Sequence, residues 1–448
     1  MISFLVKPAS KVKGDIKIPF DKSITHRAII LASIGKGLTK IKNFSSSRDC
    51  FYTLRIFKRL GIKINRKKTL AQIQGKGLFG LRPPQTPLYA GESGTTIRIL
   101  LGLLVGQKFK SKLQAAPSLN KRPMGRVIKP LELMGAEISA KCKAKNAKRE
   151  YYPPLTIKPA ELHGIKYKLE VASAQVKSAI LLAGLYAKGK TGIIESQVCR
   201  DHTERMLKLF GADIKISAIG GKNKTGRLIS LNQIKQLVSP GEIIIPGDFS
   251  SAIFFIVAAL IIFGSEIIIR NVGLNPTRTG ALKVLLRMNA DIKIKNYRIE
   301  SGEPIGDIVV VGGRHARPLR ATRIKHQELP LLIDEIPILM VAACMACGTT
   351  IIEQAKELRV KETDRISSMV VNLRKMGANI EVKKDDTIII NGPVKLRGVK
   401  LKSFNDHRSA MSLVIAALAA QGCSRLDDIS CVNKSFPEFK KLIKKVAF

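Results

Sequence analysis

The sequence has no tryptophan, and aromatic residues of all kinds make up only 5% of its 448 residues. Aromatic platforms that could stack on nucleic-acid bases are therefore scarce. Long apolar runs are also missing: the longest, residues 252–263, is too short to span a bilayer and predicts a buried helix. The seven cysteines are scattered and odd in number, which argues against a disulfide framework and favours a cytoplasmic protein. Residues 1–15 show no secretion signal.

Acidic side chains are also few. The 77 lysine and arginine residues outnumber the 34 aspartate and glutamate residues, and the formal net charge is +43. A basic chain of this kind can bind nucleic acid through its phosphates, or it can attract small anionic substrates. The basic residues are spread along the sequence rather than gathered in one tail. We therefore favour small anionic substrates and expect neither a nucleic-acid nor a membrane partner.

A five-residue phrase recurs along the chain: an apolar residue, usually glycine, a small or apolar residue, a variable residue and isoleucine. Its copies lie about 75 to 90 residues apart. They occupy residues 60–64, 134–138, 210–214, 288–292 and 376–380, the fourth with asparagine in the glycine position. Each copy follows a helix-like stretch and leads into β-branched residues, which predicts a helix that ends in a left-handed residue before a strand. The period and the length predict similar α/β units in two or more domains.

Three short matches to known motifs are misleading. Residues 184–191 match the phosphate-loop pattern, but a helix-like stretch precedes them and a predicted strand at 192–195 follows, the reverse of the required order. Residues 75–80 match GxGxxG but lead into two prolines rather than into a helix. Residues 344–347 have CxxC spacing in an apolar helical run without a second pair, which favours core packing. None of the three predicts a nucleotide or metal site.

Eight short segments hold more polar and charged residues than a packed fold requires. They lie at residues 21–27, 91–98, 120–124, 173–177, 334–337, 359–365, 405–408 and 433–437. Cations beside a helix start make an anion site, and glycine lets backbone amides approach a ligand. The first segment precedes a helix predicted at 28–34, and in the sixth Lys361 and Arg365 would share one helix face beside Glu362. A solvated ion-pair face is an equally good interpretation of each segment taken alone.

Taken in order, these segments resemble those of the 5-enolpyruvylshikimate-3-phosphate (EPSP) synthase family. The matching motifs are Asp-Lys-Ser-x-x-x-Arg, Ser-Gly-Thr-x-x-Arg, Lys-Arg-Pro-Met, Ser-Ala-Gln-x-Lys, Asp-Glu-Ile-Pro, Arg-Val-Lys-Glu-Thr-Asp-Arg, Asn-Asp-His-Arg and Lys-Ser-Phe-Pro. They run from Lys22 to Pro437, which is nearly the whole chain. The sixth and seventh motifs are highly specific, so the resemblance is not a coincidence.

The resemblance implies the enolpyruvyl transferase fold. This is an α/β (α+β) architecture, a two-domain inverse α/β barrel built from six βαβαββ repeats. One domain would comprise residues 1–20 and 247–448 and the other residues 21–246, with the active site in the cleft between them. The family also implies a monomer.

The implied reaction transfers the enolpyruvyl group of phosphoenolpyruvate (PEP) to the 5-hydroxyl of shikimate 3-phosphate and releases phosphate, in the biosynthesis of chorismate and the aromatic amino acids. It needs no cofactor, neither a metal nor an organic group. Both substrates carry carboxylate and phosphate groups, so several lysine and arginine side chains must offset their repulsion. Because the reaction is an addition followed by an elimination, a base accepts the hydroxyl proton while an acid protonates the methylene carbon of PEP.

The resemblance also assigns roles to residues. Those expected to bind shikimate 3-phosphate are Lys22, Ser23, Arg27, Ser173, Ala174, Gln175, Asp334 and Lys361, with Arg200 added in one subgroup. Those expected to bind PEP are Lys22, Gly94, Arg122, Gln175, Arg365, Arg408 and Lys434. The expected catalytic residues are Asp334 as proton acceptor at the 5-hydroxyl, Glu362 for the proton at the methylene carbon, and Lys22, which would assist proton transfer and neutralise phosphate.

Two residues depart from the family pattern. Glu92 stands in the glycine-rich segment where asparagine is usual, and its carboxylate would repel PEP unless a nearby group pairs with it. Phe20 stands where glycine is usual, which narrows the backbone freedom of that turn. Segments 173–177, 200–204 and 275–278 resemble the subgroup that is less sensitive to glyphosate, so we expect glyphosate to be an inhibitor to which this chain has reduced sensitivity.

Two alternatives stay open from the sequence. The related UDP-N-acetylglucosamine enolpyruvyl transferase usually carries a reactive cysteine in the loop that spans residues 116–123 here, where this chain has none. The motif at 21–23 also fits shikimate better. A non-catalytic nucleic-acid-binding protein is the second alternative, and only the net charge suggests it.

Overall fold

The computed structural model of the chain describes residues 3–145, 148–219, 226–312 and 318–448. The chain divides into two compact units. The first unit comprises Met1–Pro19, Pro246–Ile299 and Pro304–Phe448, and the second comprises Phe20–Ile245 and Glu300–Glu303. The short return of the chain to the second unit at Glu300–Glu303 is a feature that the sequence did not suggest.

Strands and helices alternate along the whole chain. The strands are β1 (Phe4–Val6), β2 (Lys13–Lys17), β3 (Gly35–Lys42), β4 (Lys63–Lys67), β5 (Leu70–Lys76), β6 (Leu88–Tyr89), β7 (Ser111–Gln114), β8 (Glu137–Lys145), β9 (Lys148–Lys158), β10 (Lys166–Lys168), β11 (Thr191–Glu195), β12 (Ile214–Ile219), β13 (Gly226–Leu231), β14 (Leu237–Val238), β15 (Glu242–Ile244), β16 (Glu266–Gly273), β17 (Ile292–Glu300), β18 (Glu303–Val311), β19 (Arg323–Ile324), β20 (Gly348–Ile352), β21 (Asn379–Val382), β22 (Ile388–Gly392), β23 (Lys400–Leu401) and β24 (Ser424–Leu426). The α-helices are α1 (Lys22–Ile34), α2 (Arg48–Arg59), α3 (Gly94–Leu104), α4 (Gly125–Leu133), α5 (Ala174–Gly184), α6 (His202–Leu209), α7 (Phe249–Ile261), α8 (Gly280–Arg287), α9 (Ile336–Cys344), α10 (Arg365–Lys375), α11 (His407–Leu418) and α12 (Phe439–Val446). Short 3₁₀ helices span Leu119–Lys121, His326–Leu331, Lys356–Val360 and Ser430–Lys434.

One sheet plan is repeated. In the sheet β10-β11-β13-β12, β10 is parallel to β11, while β13 is antiparallel to both β11 and β12. The sheets β6-β7-β9-β8, β14-β3-β5-β4, β2-β16-β18-β17 and β19-β20-β22-β21 have the same order. The sheet β1-β24-β23 completes the set, with the N-terminal strand β1 antiparallel to β24. These six sheets, three in each unit, confirm the predicted architecture of repeated α/β units.

The recurring phrase ends a helix at every copy. Its second residue has positive φ throughout: +84° at Gly61, +97° at Gly135, +83° at Gly211, +69° at Asn289 and +98° at Gly377. Helices α2, α4, α6, α8 and α10 precede these residues, and a strand begins two or three residues after each. Glycine, and less often asparagine, is used there because other side chains are strained in the left-handed region. The predicted helix stop and following strand are confirmed.

Three helices in each unit are buried along nearly their whole length: α1, α3 and α5 in the second unit, and α7, α9 and α11 in the first. Helix α7 comes from the apolar run at 252–263, and the predicted buried helix is confirmed. A helix that is apolar on most faces must be surrounded by other apolar elements. Each unit accordingly has its own apolar core around its three inner helices. In the described ranges, no helix is both long and apolar enough to cross a membrane.

Of the three misleading motifs, the first two fold as the sequence indicates, whereas the expected core packing of the third holds for Cys344 and not for Cys347. Residues 184–191 join the end of α5 to β11, so the order is helix and then strand. Residues 75–80 lie at the end of β5, and an irregular segment follows them. Cys344 is the buried last residue of α9, while Cys347 is exposed. None of these segments offers a helix start to a phosphate group.

Because α3 and α5 approach each other closely, we predict that a methyl group added at Gly102 lowers the stability of the fold. A Cβ at Gly102 of α3 would lie 2.1 Å from the carbonyl oxygen of Ala179 on α5. Because the clash is with backbone, the helices must move apart, and Gly102→Ala should lower the free energy of unfolding by about 1–3 kcal/mol. Urea unfolding would measure it.

Gly125 of α4 provides the matched control, since a Cβ there would meet its nearest atom, Tyr151 Cδ2, at an ordinary 3.6 Å. Gly125→Ala should be neutral or slightly stabilising, because alanine favours the helix. Equal stability of the Gly102 and Gly125 variants would contradict the close approach of α3 to α5.

Candidate functional site

Five of the six inner helices begin at one of the polar motifs, and α7 is the exception. Their N-cap residues are Asp21, Ser93, Ser173, Asp248, Glu335 and Asp406. All of these except Glu335 accept a hydrogen bond from a backbone N–H of their own first turn, for example Ile24 N to Asp21 Oδ1 at 2.9 Å. Unsatisfied N–H groups at a helix start attract anions. The fold therefore provides two groups of three such starts, one group in each unit.

Helix α1 carries three of the predicted substrate-binding residues. It begins at Lys22 rather than at residue 28, because Asp21 caps it, so Lys22, Ser23 and Arg27 lie on its first two turns and not before it. Lys22 Nζ lies 3.5 Å from Asp49 Oδ2, and about a quarter of its side chain is exposed, 24%. The cation thus remains partly exposed at the helix start.

Arg27 is buried and fixed by neutral groups. Its Nε donates to Thr203 Oγ1 at 2.6 Å, its Nη2 to Ser178 Oγ at 2.8 Å, and its Nη1 to Ser23 O at 2.9 Å. Burial lowers the pKa of Arg27 to about 10, which leaves the guanidinium protonated at neutral pH. These contacts tie α1 to the starts of α5 and α6.

A row of hydrogen bonds joins α1 to the start of α3. His26 Nδ1 lies 2.7 Å from Thr53 Oγ1, Thr53 Oγ1 lies 2.8 Å from Thr96 Oγ1, and Thr96 Oγ1 donates to Ser93 Oγ at 2.7 Å. Burial, and then the charges of Lys22 and Arg27, lower the pKa of His26 to about 3. A neutral imidazole therefore positions the two helix starts relative to each other. Sequence reasoning did not single out His26, although a histidine between two cations of one helix is a usable signal.

Gln175 connects the glycine-rich segment to α5. Its Oε1 accepts from Arg98 Nη1 at 2.9 Å, and its Nε2 donates to Thr95 Oγ1 at 3.0 Å. Gly94 lies beneath two guanidinium groups: a Cβ there would be 2.9 Å from Arg98 Nη1 and 3.4 Å from Arg122 Nη1. The structure thus brings together three residues of the predicted PEP set, Gly94, Arg122 and Gln175, and it places Arg98 beside them, which the sequence put in a motif without assigning a role.

The two residues that depart from the family pattern are both accommodated. Glu92 is exposed and accepts a hydrogen bond from Ser118 Oγ at 3.0 Å. Phe20 is half-buried and packs against the apolar core of the second unit. In this contact the carboxylate of Glu92 pairs with a hydroxyl group, and the neighbouring Ser93 caps α3.

In the first unit, the buried Arg365 gathers three carboxylates. Its Nε donates to Asp406 Oδ2 at 3.0 Å, its Nη1 to Asp334 Oδ1 at 3.2 Å, and its Nη2 to Glu362 Oε2 at 2.6 Å. The neighbouring carboxylates raise the pKa of Arg365 above its ordinary value, although burial alone would lower it. The predicted proton acceptor Asp334 and the predicted proton donor Glu362 therefore share the guanidinium of Arg365, which is itself a predicted PEP ligand.

Asp334 also faces two further guanidinium groups. Arg408 Nη2 and Arg278 Nη1 each lie 3.7 Å from Asp334 Oδ2. Arg408 Nη1 also donates to Glu335 Oε1 at 3.3 Å, and Ser250 Oγ donates to the same carboxylate oxygen. Arg278 is a residue that sequence reasoning placed only in a subgroup motif. The starts of α7, α9 and α11 are linked through these contacts.

The prediction for Lys361 is wrong in one respect. Lys361 and Arg365 do not share a helix face, because the 3₁₀ helix Lys356–Val360 ends just before Lys361 and α10 begins at Arg365. Asp364 caps α10 through Ser367 N at 3.0 Å, and a cap residue cannot be helical itself. Burial lowers the pKa of Lys361, while nearby Asp334 raises it. The lysine therefore still lies near Asp334.

The other predicted residues lie where a ligand can reach them. Ser173, Ala174 and Gln175 are half-buried at the start of α5, and Lys434 is half-buried at the end of the 3₁₀ helix Ser430–Lys434. Lys177, one turn further along α5, is instead fully buried. Within the described ranges, no cluster of three or more His, Cys, Asp or Glu side chains is arranged to hold a metal ion.

Comparison with known proteins agrees with this geometry. The family model described as EPSP synthase (3-phosphoshikimate 1-carboxyvinyltransferase) matches residues 6–443. A protein of Geobacter sp. (strain M21) named 3-phosphoshikimate 1-carboxyvinyltransferase is 46% identical over 448 residues, which cover 99% of both chains. A protein of the same name from Citrifermentans bemidjiense is 45% identical over 100% of this chain and 99% of its own.

Solved structures give the same result. The EPSP synthase of Acinetobacter baumannii superposes with a TM-score of 0.86 at 41% identity, covering 99% of this chain and 98% of that one. The enolpyruvyl transferase NikO of Streptomyces tendae has a TM-score of 0.74 at 15% identity, covering 99% of this chain and 97% of its own, a likeness of fold alone.

The depressed pKa of His26 predicts acid sensitivity. In the unfolded chain His26 binds a proton near the ordinary histidine pKa, whereas in the folded chain it does so only near pH 3. Protonation therefore favours the unfolded state, and His26 lowers the free energy of unfolding as the pH falls below about 6.5. Between pH 7 and pH 5 the wild type should lose about 2 kcal/mol more than His26→Gln. Urea unfolding of both proteins at the two pH values would measure the difference.

His163 is exposed and provides the control. His163→Gln should follow the wild type at both pH values. If His26→Gln also lost the same stability as the wild type, a neutral buried His26 would be ruled out.

Proposed function

The chain belongs to the EPSP synthase family, and we propose from this premise how its residues transfer the enolpyruvyl group of PEP to the 5-hydroxyl of shikimate 3-phosphate. The observation that carries the proposal is that, within each unit, motif residues lie at helix starts, Lys22, Gly94 and Gln175 in the second unit and Arg365 and Arg408 in the first, and that the guanidinium groups of Arg27, Arg365 and Arg408 are buried. Four anionic groups on two small substrates require such a concentration of donors.

We propose that shikimate 3-phosphate is held largely by the starts of α1 and α5. Its phosphate would lie against Lys22, Ser23, Arg27 and the Ser173–Gln175 turn, with Arg200 as a further cation. Support comes from Arg27, whose guanidinium is paired with hydroxyl groups rather than with carboxylates, so its charge is available to an anion. Asp334 and Lys361 of the first unit would contact the ring hydroxyls.

We propose that PEP is held by Lys22, Gly94, Arg122 and Gln175 of the second unit and by Arg365, Arg408 and Lys434 of the first. Arg98 joins this set, because its Nη1 lies over Gly94 and holds Gln175. Since each substrate would need residues of both units, we propose that the two units are the two domains of the enzyme and that catalysis takes place in the cleft between them. Closure around the substrates would exclude water.

Asp334 and Glu362 are proposed to move the protons. Asp334 would accept the 5-hydroxyl proton while the hydroxyl oxygen attacks C2 of PEP, and Glu362 would donate a proton to C3, which gives a tetrahedral intermediate. Loss of a C3 proton and cleavage of the bond between C2 and the phosphate oxygen then form the product and release phosphate. Lys22 would neutralise the departing phosphate. The contact of Arg365 Nη2 with Glu362 Oε2 at 2.6 Å supports a fixed orientation of this acid.

The remaining properties are proposed from the family. A cytoplasmic location is supported by seven cysteines that form no disulfide. We also propose a monomer, and weak inhibition by glyphosate. Tight inhibition competitive with PEP would contradict the last proposal. The relatives' shared name favours shikimate 3-phosphate over UDP-N-acetylglucosamine as the acceptor.

The reaction is tested by measuring phosphate release from the purified chain with both substrates, and with each omitted in turn. We expect release only when shikimate 3-phosphate and PEP are both present. A folded protein that releases no phosphate with both would contradict the proposed reaction.

The proton-transfer roles predict large losses from near-isosteric changes. Asp334→Asn and Glu362→Gln should each reduce turnover at least about 100-fold, because neither amide can exchange the required proton. Steady-state assays at saturating substrates would measure the loss.

Glu353→Gln is the matched control, since Glu353 pairs with Arg323 at 2.6 Å and belongs to none of the site motifs. It should retain normal turnover. Near-normal turnover of the Asp334 or the Glu362 variant would refute the role of that residue.

A further inference from the structure

Lys177 follows the substrate-binding residues of α5, yet its side chain is fully buried within the second unit. Its Nζ lies 2.7 Å from Glu195 Oε1 and 2.5 Å from Glu204 Oε1, and it donates to Cys199 O at 3.3 Å. Although burial alone would lower the pKa of Lys177, Glu204, the Cys199 thiol and Glu195 raise it above its ordinary value. A charged ammonium group is therefore enclosed by two carboxylates.

The ammonium group of Lys177 binds the segment from residue 195 to residue 204 at three points. Glu195 is the last residue of β11, and Glu204 lies in the first turn of α6. Between them, Cys199 donates from its Sγ to Glu195 Oε1 at 2.9 Å. The single side chain of Lys177 thus contacts both ends and the middle of the segment, which carries Arg200.

The same segment also holds Arg27. Thr203 Oγ1 accepts from Arg27 Nε at 2.6 Å, while Ser178, next to Lys177 on α5, accepts from Arg27 Nη2 at 2.8 Å. Arg200 lies near enough to Arg27 to lower its pKa further, after the larger effect of burial, whereas Glu204 raises it. The position of both arginines therefore depends on how the segment is folded.

Lys177 neutralises the buried carboxylates of Glu195 and Glu204 by direct contact with both. Glu195 and Glu204 are almost completely buried, and Glu204 Oε2 has no hydrogen-bond partner among the described residues. Burial raises the pKa of Glu204, which shows that its charge is costly there. Without the ammonium group, Arg27 would be the nearby buried cation left to offset two carboxylates, and its charge would no longer be available to a ligand.

We propose that Lys177 is a positioning residue for binding of the substrate phosphate group. It never touches the substrate. By neutralising Glu195 and Glu204 and by fixing the segment between them, it keeps the guanidinium groups of Arg27 and Arg200 directed at the phosphate of shikimate 3-phosphate. The inference rests on the proposed function, since it assumes that these arginines bind that phosphate.

Calorimetric binding of shikimate 3-phosphate, and of shikimate without its phosphate, to the full chain tests the inference. Lys177→Met should weaken shikimate 3-phosphate binding at least about 10-fold, the effect of losing one charge-assisted contact, and should change shikimate binding less than about twofold. Equal weakening of both ligands, or of neither, would overturn the inference. Failure of the wild type itself to bind shikimate 3-phosphate would instead count against the proposed function.

Lys188→Met is the matched control. Lys188 follows α5 and pairs with Glu161 at the same 2.7 Å, but both side chains are exposed, 74% and 85%. Exposed pairs of this kind contribute little, so this variant should bind both ligands like the wild type.

Two further variants separate charge from packing. Glu195→Gln retains the ammonium group and removes one carboxylate, so its affinity for shikimate 3-phosphate should stay within about threefold of the wild type. The double variant Lys177→Met with Glu204→Gln restores the balance of buried charge and should recover part of the affinity that Lys177→Met loses. No recovery, or a loss in Glu195→Gln as large as in Lys177→Met, would assign Lys177 a purely structural role and overturn the proposal. If Lys177→Met alone does not fold, the double variant is compared with Glu204→Gln in the same two titrations, and only shikimate 3-phosphate should bind more weakly.

Discussion

The first turn of a helix leaves backbone N–H groups without intrahelical partners, and a buried helix cannot give them all to water. This constraint organises the chain. Its inner helices start at Asp21, Ser93, Ser173, Asp248, Glu335 and Asp406, and the capping side chain satisfies part of the first turn at five of them and none of it at Glu335. The remaining donors, together with lysine and arginine side chains of the same motifs, suit ligands with several anionic oxygens. Because the sheet plan is repeated, each unit has three inner helices and therefore three starts of this kind.

Buried cations impose a second requirement, since each must be neutralised before a substrate arrives. The two units meet it differently. In the first, Arg365 is surrounded by the carboxylates of Asp334, Glu362 and Asp406, so an arriving anion must compete with these acidic side chains, two of which we propose to move protons. In the second, Arg27 is held by the hydroxyl groups of Thr203 and Ser178, and the acidic groups are turned toward Lys177 instead. In the proposed mechanism the first arrangement couples binding to proton transfer, whereas the second keeps the charge of Arg27 for the substrate phosphate.

Features that depend on short stretches of chain could be predicted from the sequence. The recurring phrase identified its helix ends because a left-handed residue requires glycine or asparagine locally. Motif resemblance identified the residues that the structure gathers around Arg365 and Gly94. Features that depend on contacts between distant segments were missed. These are the hydrogen bond from Arg98 to Gln175, the ion pair of Arg278 with Asp334, and the hydrogen-bonded row that links His26 to Ser93 through two threonines. The error at Lys361 has the same origin, since helical spacing cannot show that Asp364 caps a new helix.

The net charge of +43 is separate from this site chemistry. Around Arg365 and around Lys177, the buried cations are matched by carboxylates, so the excess positive charge must lie mainly on exposed side chains. Strands such as β3 illustrate this, with Lys36, Lys40 and Lys42 exposed while Ile41 is buried. Salt at physiological strength screens exposed charges over about 8 Å. They therefore attract anionic substrates to the nearby surface without fixing the orientation of these substrates. The orientation of the substrates depends on the buried groups, because salt screens buried interactions much less. The two sets of charges can therefore vary independently, which is why so basic a composition is compatible with a site whose buried charges are nearly balanced.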